Sequence, residues 1–378
     1  MRELPEILGF RRSDGRIGIR NHVAIVYTTN CAEVVARSLY DRFPVGTQVF
    51  GYPEGCSFRD APVAKVAAMA HHSSYAAALV VGLGCEGTDA VELAERIAAS
   101  GQTVEAIRIQ SEGGDLKAIE KGSRILAGFL QHASVAARAP MPVSELVVGA
   151  ECGGSDATSG LISNPLVGKV ADRLIDAGGT YMHAEPHELM GCGEVLAARA
   201  TDEDVACDVR EAIEAAERES FEAGLFHIGY GNIEGGLTTI EEKSYGCLAK
   251  SGSRPLRGVL RDYGRPAAGG YYLQIAPDGS QTYFGDSEDV SQFGACGAHL
   301  VFFTTGCGAT TGGLLPVIKV MANPHRMQLI RDNVDFDATP VTRGERTLDE
   351  MADDLYAEMI AVAAGKLTKT EIHRHFEA

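Results

Sequence analysis

Short apolar runs alternate with amphipathic stretches along the whole chain, and glycine or proline punctuates most of the changes. In the first part, residues 22–29, 48–52, 76–81 and 103–109 have the composition of buried strands. Helical periodicity follows each of them: to residue 39, over about 61–70, over 89–99, and from 115 to about 133. Such an alternation predicts an α/β fold with a doubly wound, largely parallel sheet. Residues 137–142 (ARAPMP) read as a linker, which places a first α/β domain at 1–138 and a second, also Rossmann-like, at 139–378.

The second part opens with an apolar run, residues 146–150, and then a well-marked helix. Asn164 reads as its N-cap, Pro165 as its first residue, and Leu166, Val170 and Leu174 share one face before Gly178 and Gly179 end it. Between strand and helix stand Glu151, Cys152, Gly153, Gly154, Ser155 and Asp156. In an open α/β sheet this is the carboxyl edge, where ligands bind. The plain alternative is a polar, glycine-rich turn. Further strands are expected at 180–184, 258–260, 271–275, 299–304 and 314–320. Helices are expected at 188–200, 203–223, near 287–294 and at 348–364, with another capped by Thr238 or Thr239.

Composition narrows the function. A net charge of -17 over 378 residues argues against nucleic acid as a partner. No apolar run is long enough to span a membrane, and the start of the chain has no signal-peptide pattern. Nine cysteines, an odd number without CxxC spacing, suit a reducing cytoplasm better than a disulfide framework.

Three of those cysteines, Cys31, Cys56 and Cys85, each follow a successive strand of the first domain. Parallel strands would bring such ends to one edge, and converging thiols suit iron, an iron–sulfur cluster or zinc. Cys152 is a fourth candidate, whereas Cys207 and Cys247 fall inside helices and read as structural. The alternative for each is a small buried apolar residue. Residues 82–87 also fit the dinucleotide pattern G-x-G-x-x-G, with Glu105 near the distance of a ribose-binding acid. A thiol and an acid at its centre, Cys85 and Glu86, suit chemistry better than a phosphate cradle. Glu185-Pro186-His187-Glu188 offers two carboxylates and an imidazole at a strand end, or simply a helix start. Lys243, four residues after Thr239, could reach an anionic substrate or pair with Glu242.

Taken together, GFRRSDGRIGIRN, TTNC, GC, GLGCE, ECGGSDATSG, GGLTTIEEKS, FTTG and GKLTKTE resemble the altronate/galactarate dehydratase family in order and spacing, over nearly the whole chain. The resemblance implies a lyase dependent on iron (Fe2+ or an iron–sulfur cluster) or another divalent metal. It would remove a β-substituent from a hydroxy acid, by dehydration of a sugar acid, to leave a 2-keto acid. A carbon–sulfur lyase releasing sulfite from 3-sulfolactate is the alternative, and a nucleotide- or cluster-binding module a more distant one. The chain looks like a large subunit that lacks the small N-terminal domain of single-chain relatives, so a small partner subunit and an oligomer are expected. On this reading Cys31, Cys56, Cys85 and Cys152 hold the metal, and Arg20, Asn21, Ser155, Asp156 and Thr305 bind substrate. Lys243, Glu185 and Glu86 are the acid or base candidates, and a guanidinium fork favours Arg20 for a carboxylate.

Three departures touch substrate-side loops. Cys307 stands where the family reads arginine in FTTGRG, Cys192-Gly193-Glu194 replaces Ala-Glu-His, and the loop at 231–234 is short. Loss of that arginine leads us to expect a substrate shorter or less charged at its far end.

Overall fold

The structure is a computed structural model that describes residues 4–52, 56, 60–222, 224, 230–275 and 285–376. It divides into two compact units, one of Leu8–Met141 with Phe376–Ala378 and the other of Met1–Ile7 with Pro142–His375. Both are α/β.

In the first unit a four-stranded sheet runs in the order Thr47–Gly51, His22–Tyr27, Tyr75–Gly82, Thr103–Arg108, with all pairs parallel. Val23, Ile25, Leu79, Val81 and Ile107 form a core with Ala32, Val35, Ala36 and Leu39 of helix Asn30–Arg42 and Leu126 of helix Asp115–Ser134. The chain reverses its direction of growth between His22–Tyr27 and Tyr75–Gly82, which makes their carboxyl ends the switch point of this sheet. Ala139–Pro140, read above as linker, instead pairs with Leu8–Arg11 in a small antiparallel sheet completed by Ile17–Gly18. The strand end at Pro53, Glu54 and Gly55 lies outside the described residues.

The second unit has a seven-stranded parallel sheet in the order Leu256–Leu260, Gly270–Gln274, Thr180–His183, Val147–Cys152, Leu300–Thr304, Val317–Met321, Phe336–Asp337. The chain fills one side of Val147–Cys152 first, Gly270–Gln274 inserting inside the edge strand Leu256–Leu260, and then crosses to fill the other. The switch point therefore lies between Val147–Cys152 and Leu300–Thr304, whose last residues Cys152 and Thr304 are in register. One face packs Val301, Phe303 and Val317 against Val290 and Phe293 of helix Asp286–Ala295. Helix Asn164–Asp176 buries Leu166, Val170 and Leu174, the face its periodicity predicts. The helix expected over 188–200 is broken into a short turn, Pro186–Leu189, and Gly193–Ala197, because Gly191 takes a positive φ of 77° that no helix continues through.

Candidate functional site

Cys152 ends the strand at the switch point of the second unit, and a buried set of charged side chains surrounds it. Glu185 follows the neighbouring strand Thr180–His183 in a left-handed conformation, φ 65°, which is costly for a residue with a Cβ. The turn brings its carboxylate back over the sheet edge, where Oε2 accepts the Cys152 N–H at 3.2 Å and Lys250 Nζ at 2.7 Å. Glu188, three residues on, accepts Lys243 Nζ through Oε1 at 2.7 Å and the Cys152 thiol through Oε2 at 2.8 Å. Lys243 also donates to Ser155 Oγ at 2.8 Å.

Lys243 and Cys247 belong to helix Ile240–Leu248, which Thr239 caps by accepting Glu242 N–H, and Lys250 stands in the turn after it. Spacings of four and three residues put all three side chains on the side facing the sheet. Tyr181 holds that turn by donating to the Lys250 carbonyl at 2.7 Å.

Burial and charge settle the protonation states. Burial works against the Lys243 ammonium, but Cys152, Glu188 and Glu185 outweigh it and raise its pKa. Lys250 is held charged in the same way, by Cys152, Cys247 and Glu185. Glu188 is pulled far down despite its burial, chiefly by the two lysines. Burial and the Glu188 charge push Glu185 up, and burial with Glu185 and Asp289 pushes Glu151 well up. Glu151 is fully buried beside Glu185, so it sits as a neutral acid. Burial lowers the His187 pKa to about 4, and that ring is neutral.

Among the described residues, the only set of three or more His, Cys, Asp or Glu ligand atoms within 4.8 Å of one another is Cys152, Glu185, Glu188 and Cys247. It shares only Cys152 with the four thiols expected from the sequence. Lys243 holds Glu188 Oε1 and leaves Oε2 2.8 Å from the Cys152 sulfur, whereas Lys250 holds Glu185 Oε2, which lies 3.5 Å from that sulfur with Oε1 at 3.8 Å. Two thiols and two oriented carboxylates in a buried site are a donor set for a borderline or soft divalent ion.

The other expected residues are placed as follows. Cys31, Cys56 and Cys85 are exposed in the first unit, with Cys56 Sγ 3.5 Å from Thr29 Oγ1 and Cys85 Sγ 3.6 Å from Gln110 Nε2. Glu86 accepts hydrogen bonds from Thr28 Oγ1 and from the Leu83, Gly84 and Cys85 N–H groups. Its carboxylate thus fills the nest of amides at the switch point that a dinucleotide phosphate would use. Arg20 is buried and donates to the Ile19 carbonyl, and Asn21 bridges Arg12 to the Ala133 carbonyl. Asp156 accepts Thr158 Oγ1, Ser159 N–H and Asn323 Nδ2, so it organises the loop. Thr305 Oγ1 accepts the Gly308 N–H at 2.8 Å and lies 3.4 Å from the Gly154 carbonyl. The structure therefore gathers Cys152, Ser155, Glu185 and Lys243, and adds Glu151, Glu188, Cys247 and Lys250. Cys247 shares a helix with Lys243, four residues on, but nothing in the sequence marks Cys247 or Lys250 as facing the sheet.

Comparison with known proteins adds a further finding. Residues 143–378 match the family described as D-galactarate/altronate dehydratase, C-terminal, and residues 9–134 match the second domain of D-galactarate dehydratase/altronate hydrolase. The (2R)-sulfolactate sulfo-lyase subunit beta of Chromohalobacter salexigens is 34% identical, over 98% of this chain and 96% of that one. The altronate dehydratase of Escherichia coli is 29% identical, over 97% of this chain and 75% of its own length. The galactarate dehydratase (L-threo-forming) of Escherichia coli is 29% identical over 95% of this chain and 72% of its own. No described helix is long and apolar enough to cross a membrane.

Proposed function

We propose that this chain, which belongs to the D-galactarate/altronate dehydratase family and is a lyase, removes a β-substituent from a 2-hydroxy acid at the cluster around Cys152, Glu185 and Lys243. The observation that carries this reading is Lys243 itself. It is a charged ammonium only 5% exposed, held between Ser155 Oγ and Glu188 at the switch point of the sheet.

In the elimination the C2–H bond breaks and its electron pair forms the C2–C3 double bond. The C3 substituent leaves with its own bonding pair, and the enol becomes a 2-keto acid. Glu185, its pKa lifted by burial, is matched to taking the C2 proton. Lys243 and the Ser155 hydroxyl offer fixed donors to the substrate carboxylate and to the charge that develops on it. A divalent metal fits the donor set, and Cys152, Glu188 and Cys247 would hold it. Such an ion supplies Lewis-acid stabilisation of the enolate. Asp156 and Thr305 shape the loop around Ser155.

Loss of sulfite instead of water is a second reading. It is favoured by the match to a sulfo-lyase subunit beta over 96% of that chain, against 75% of the altronate dehydratase. A small partner subunit accompanies either reading, and nine free cysteines support a reducing compartment such as the cytoplasm. The test is to incubate the chain, with a matching small subunit, with altronate, galactarate and 3-sulfolactate, following 2-keto acid and sulfite. Lys243→Met should cost about 100-fold or more in kcat. Absence of 2-keto acid from every substrate would refute the reading.

A further inference from the structure

His183 ends the strand Thr180–His183, in register with Ala150 of Val147–Cys152 and two residues before Glu185. Side chains alternate along a strand, and Met182 enters the core with Phe293 and Val301. His183 therefore faces the opposite side of the sheet, where helix Ile240–Leu248 buries Cys247. Its Nε2 lies 3.4 Å from Cys247 Sγ, and the residue has no exposed surface. The Cys247 sulfur also lies within 4.8 Å of the Cys152 sulfur and of a carboxylate oxygen on each of Glu185 and Glu188. The imidazole is not one of those four ligand groups, and it joins them through Cys247.

The other ring nitrogen, Nδ1, is buried and has no hydrogen-bond partner among the described residues. A proton there would be a buried donor with nothing to receive it, the rarer kind of orphan in folded proteins. The ring therefore carries its proton on Nε2, and the Cys247 sulfur accepts it. A sulfur that ligates an ion does so as a thiolate, and a thiolate gains more from such a donor than a thiol does.

We propose that His183 is a positioning residue of the metal site: its Nε2–H fixes the Cys247 sulfur in the direction from which it shares a divalent ion with Cys152. This deepens the lyase reading above and rests on its metal site. A hydrogen bond to a ligating sulfur orients its lone pairs and lowers their energy, which tunes both the affinity and the electronics of the ion. One strand end then serves the site twice, with His183 directing the sulfur and Glu185 placed for the proton at C2.

The experiment is cobalt binding to the full chain, with His183→Gln, His183→Asn and His183→Leu. Glutamine carries an amide donor near the place of Nε2, asparagine near that of Nδ1, and leucine carries none. Cobalt affinity, measured by competition with a chelator, should fall about 10- to 100-fold in His183→Leu and His183→Asn, and less than about threefold in His183→Gln. The sulfur-to-cobalt absorption should move to longer wavelength in His183→Leu and His183→Asn, because a thiolate without its donor gives up electrons more readily. In a Cys247→Ala background, adding His183→Leu should change the affinity less than about threefold, since the partner is already gone. Melts of the metal-free chains show which variants fold, and if His183→Leu does not, the contrast of His183→Asn with His183→Gln decides. Unchanged affinity and absorption in His183→Asn, no rescue by His183→Gln, or a full loss in the Cys247→Ala background would each overturn the proposal. A wild-type chain that binds no cobalt would overturn it together with the metal site. A His183-dependent cobalt site in a chain that yields no 2-keto acid would instead fault the lyase reading and leave the role of His183 standing.

Discussion

Lys250 Nζ lies 2.7 Å from Glu185 Oε2, and neither side chain has any exposed surface. Each charge is kept because the other is there, with the left-handed turn at Glu185 holding the carboxylate in place. Removing one partner strands the other in a medium that solvates it poorly. Lys250→Met should therefore destabilise the protein by about 3–5 kcal/mol in urea melts. Lys250→Met combined with Glu185→Leu should lose less than the single variant, since no orphaned charge remains. A single variant as stable as wild type would show that the cluster takes up protons or water to compensate.

Metal occupancy separates two ligand sets. Cys152→Ser and Cys247→Ser should each lower bound divalent metal in anaerobically purified protein, and should weaken the thiolate charge-transfer absorption after cobalt substitution. Cys31→Ser, Cys56→Ser and Cys85→Ser should leave both unchanged. The reverse pattern would return the site to the exposed thiols of the first unit.

Gly168 lies in helix Asn164–Asp176, and a Cβ there would come 2.3 Å from the Ala249 carbonyl oxygen. Alanine would favour the helix by about 1 kcal/mol. The contact is with backbone that cannot swing aside, so the clash should win, at about 1–3 kcal/mol net. Because Ala249 precedes Lys250, Gly168→Ala should also reduce turnover. A thermal melt and one kinetic assay check both effects, and a stabilised variant would disprove the close packing.

Asp89 caps helix Ala90–Ala98 by accepting the Val91 and Glu92 N–H groups, and pairs with Arg108 at 2.6 Å. Arg108, ahead of the backbone donors, holds the Asp89 pKa below its usual value of 3.8. A carboxylate with a lowered folded pKa adds stability that is present above the unfolded pKa and is lost as pH falls through the folded one. Asp89→Ala should cost about 1 kcal/mol at neutral pH. It should also flatten the loss of stability below about pH 4. An unaltered acid limb in the variant would mean that other carboxylates dominate it.

The match to a protein named subunit beta leads us to expect that this chain alone turns over slowly and that a matching small subunit restores activity. Titrating that subunit against a fixed amount of this chain should give a saturable rise in rate. Full turnover without it would exclude the dependence.

The parallel sheets could be read from the sequence because each apolar run is closed by its own turn. The run at 146–150 needed no partner to be recognised as a strand, which the structure extends to Cys152. Lys243, Glu185 and Ser155 could be named because each sits in a distinctive local pattern. Lys250 could not, since a lysine just after a helix ordinarily faces water, and only the Tyr181 strand covering it makes it internal. Cys247 looked structural for a related reason: helical position alone does not say which face a thiol is on. The strand-end cysteines show the converse limit. Placement at successive strand ends puts three thiols on one edge without saying where their side chains point, and Cys31 lies in the first turn of a helix with its side chain exposed.

The carboxylate that Glu86 folds into its own loop has a consequence for competition. An amide nest open to solvent takes whichever anion is most concentrated, whereas this one carries an anion tethered three bonds from its own backbone. Free phosphate would have to evict a group whose local concentration never falls on dilution. The glycine pattern at 82–87 therefore specifies a conformation without specifying a visitor. The loop holds its shape whatever metabolites surround it.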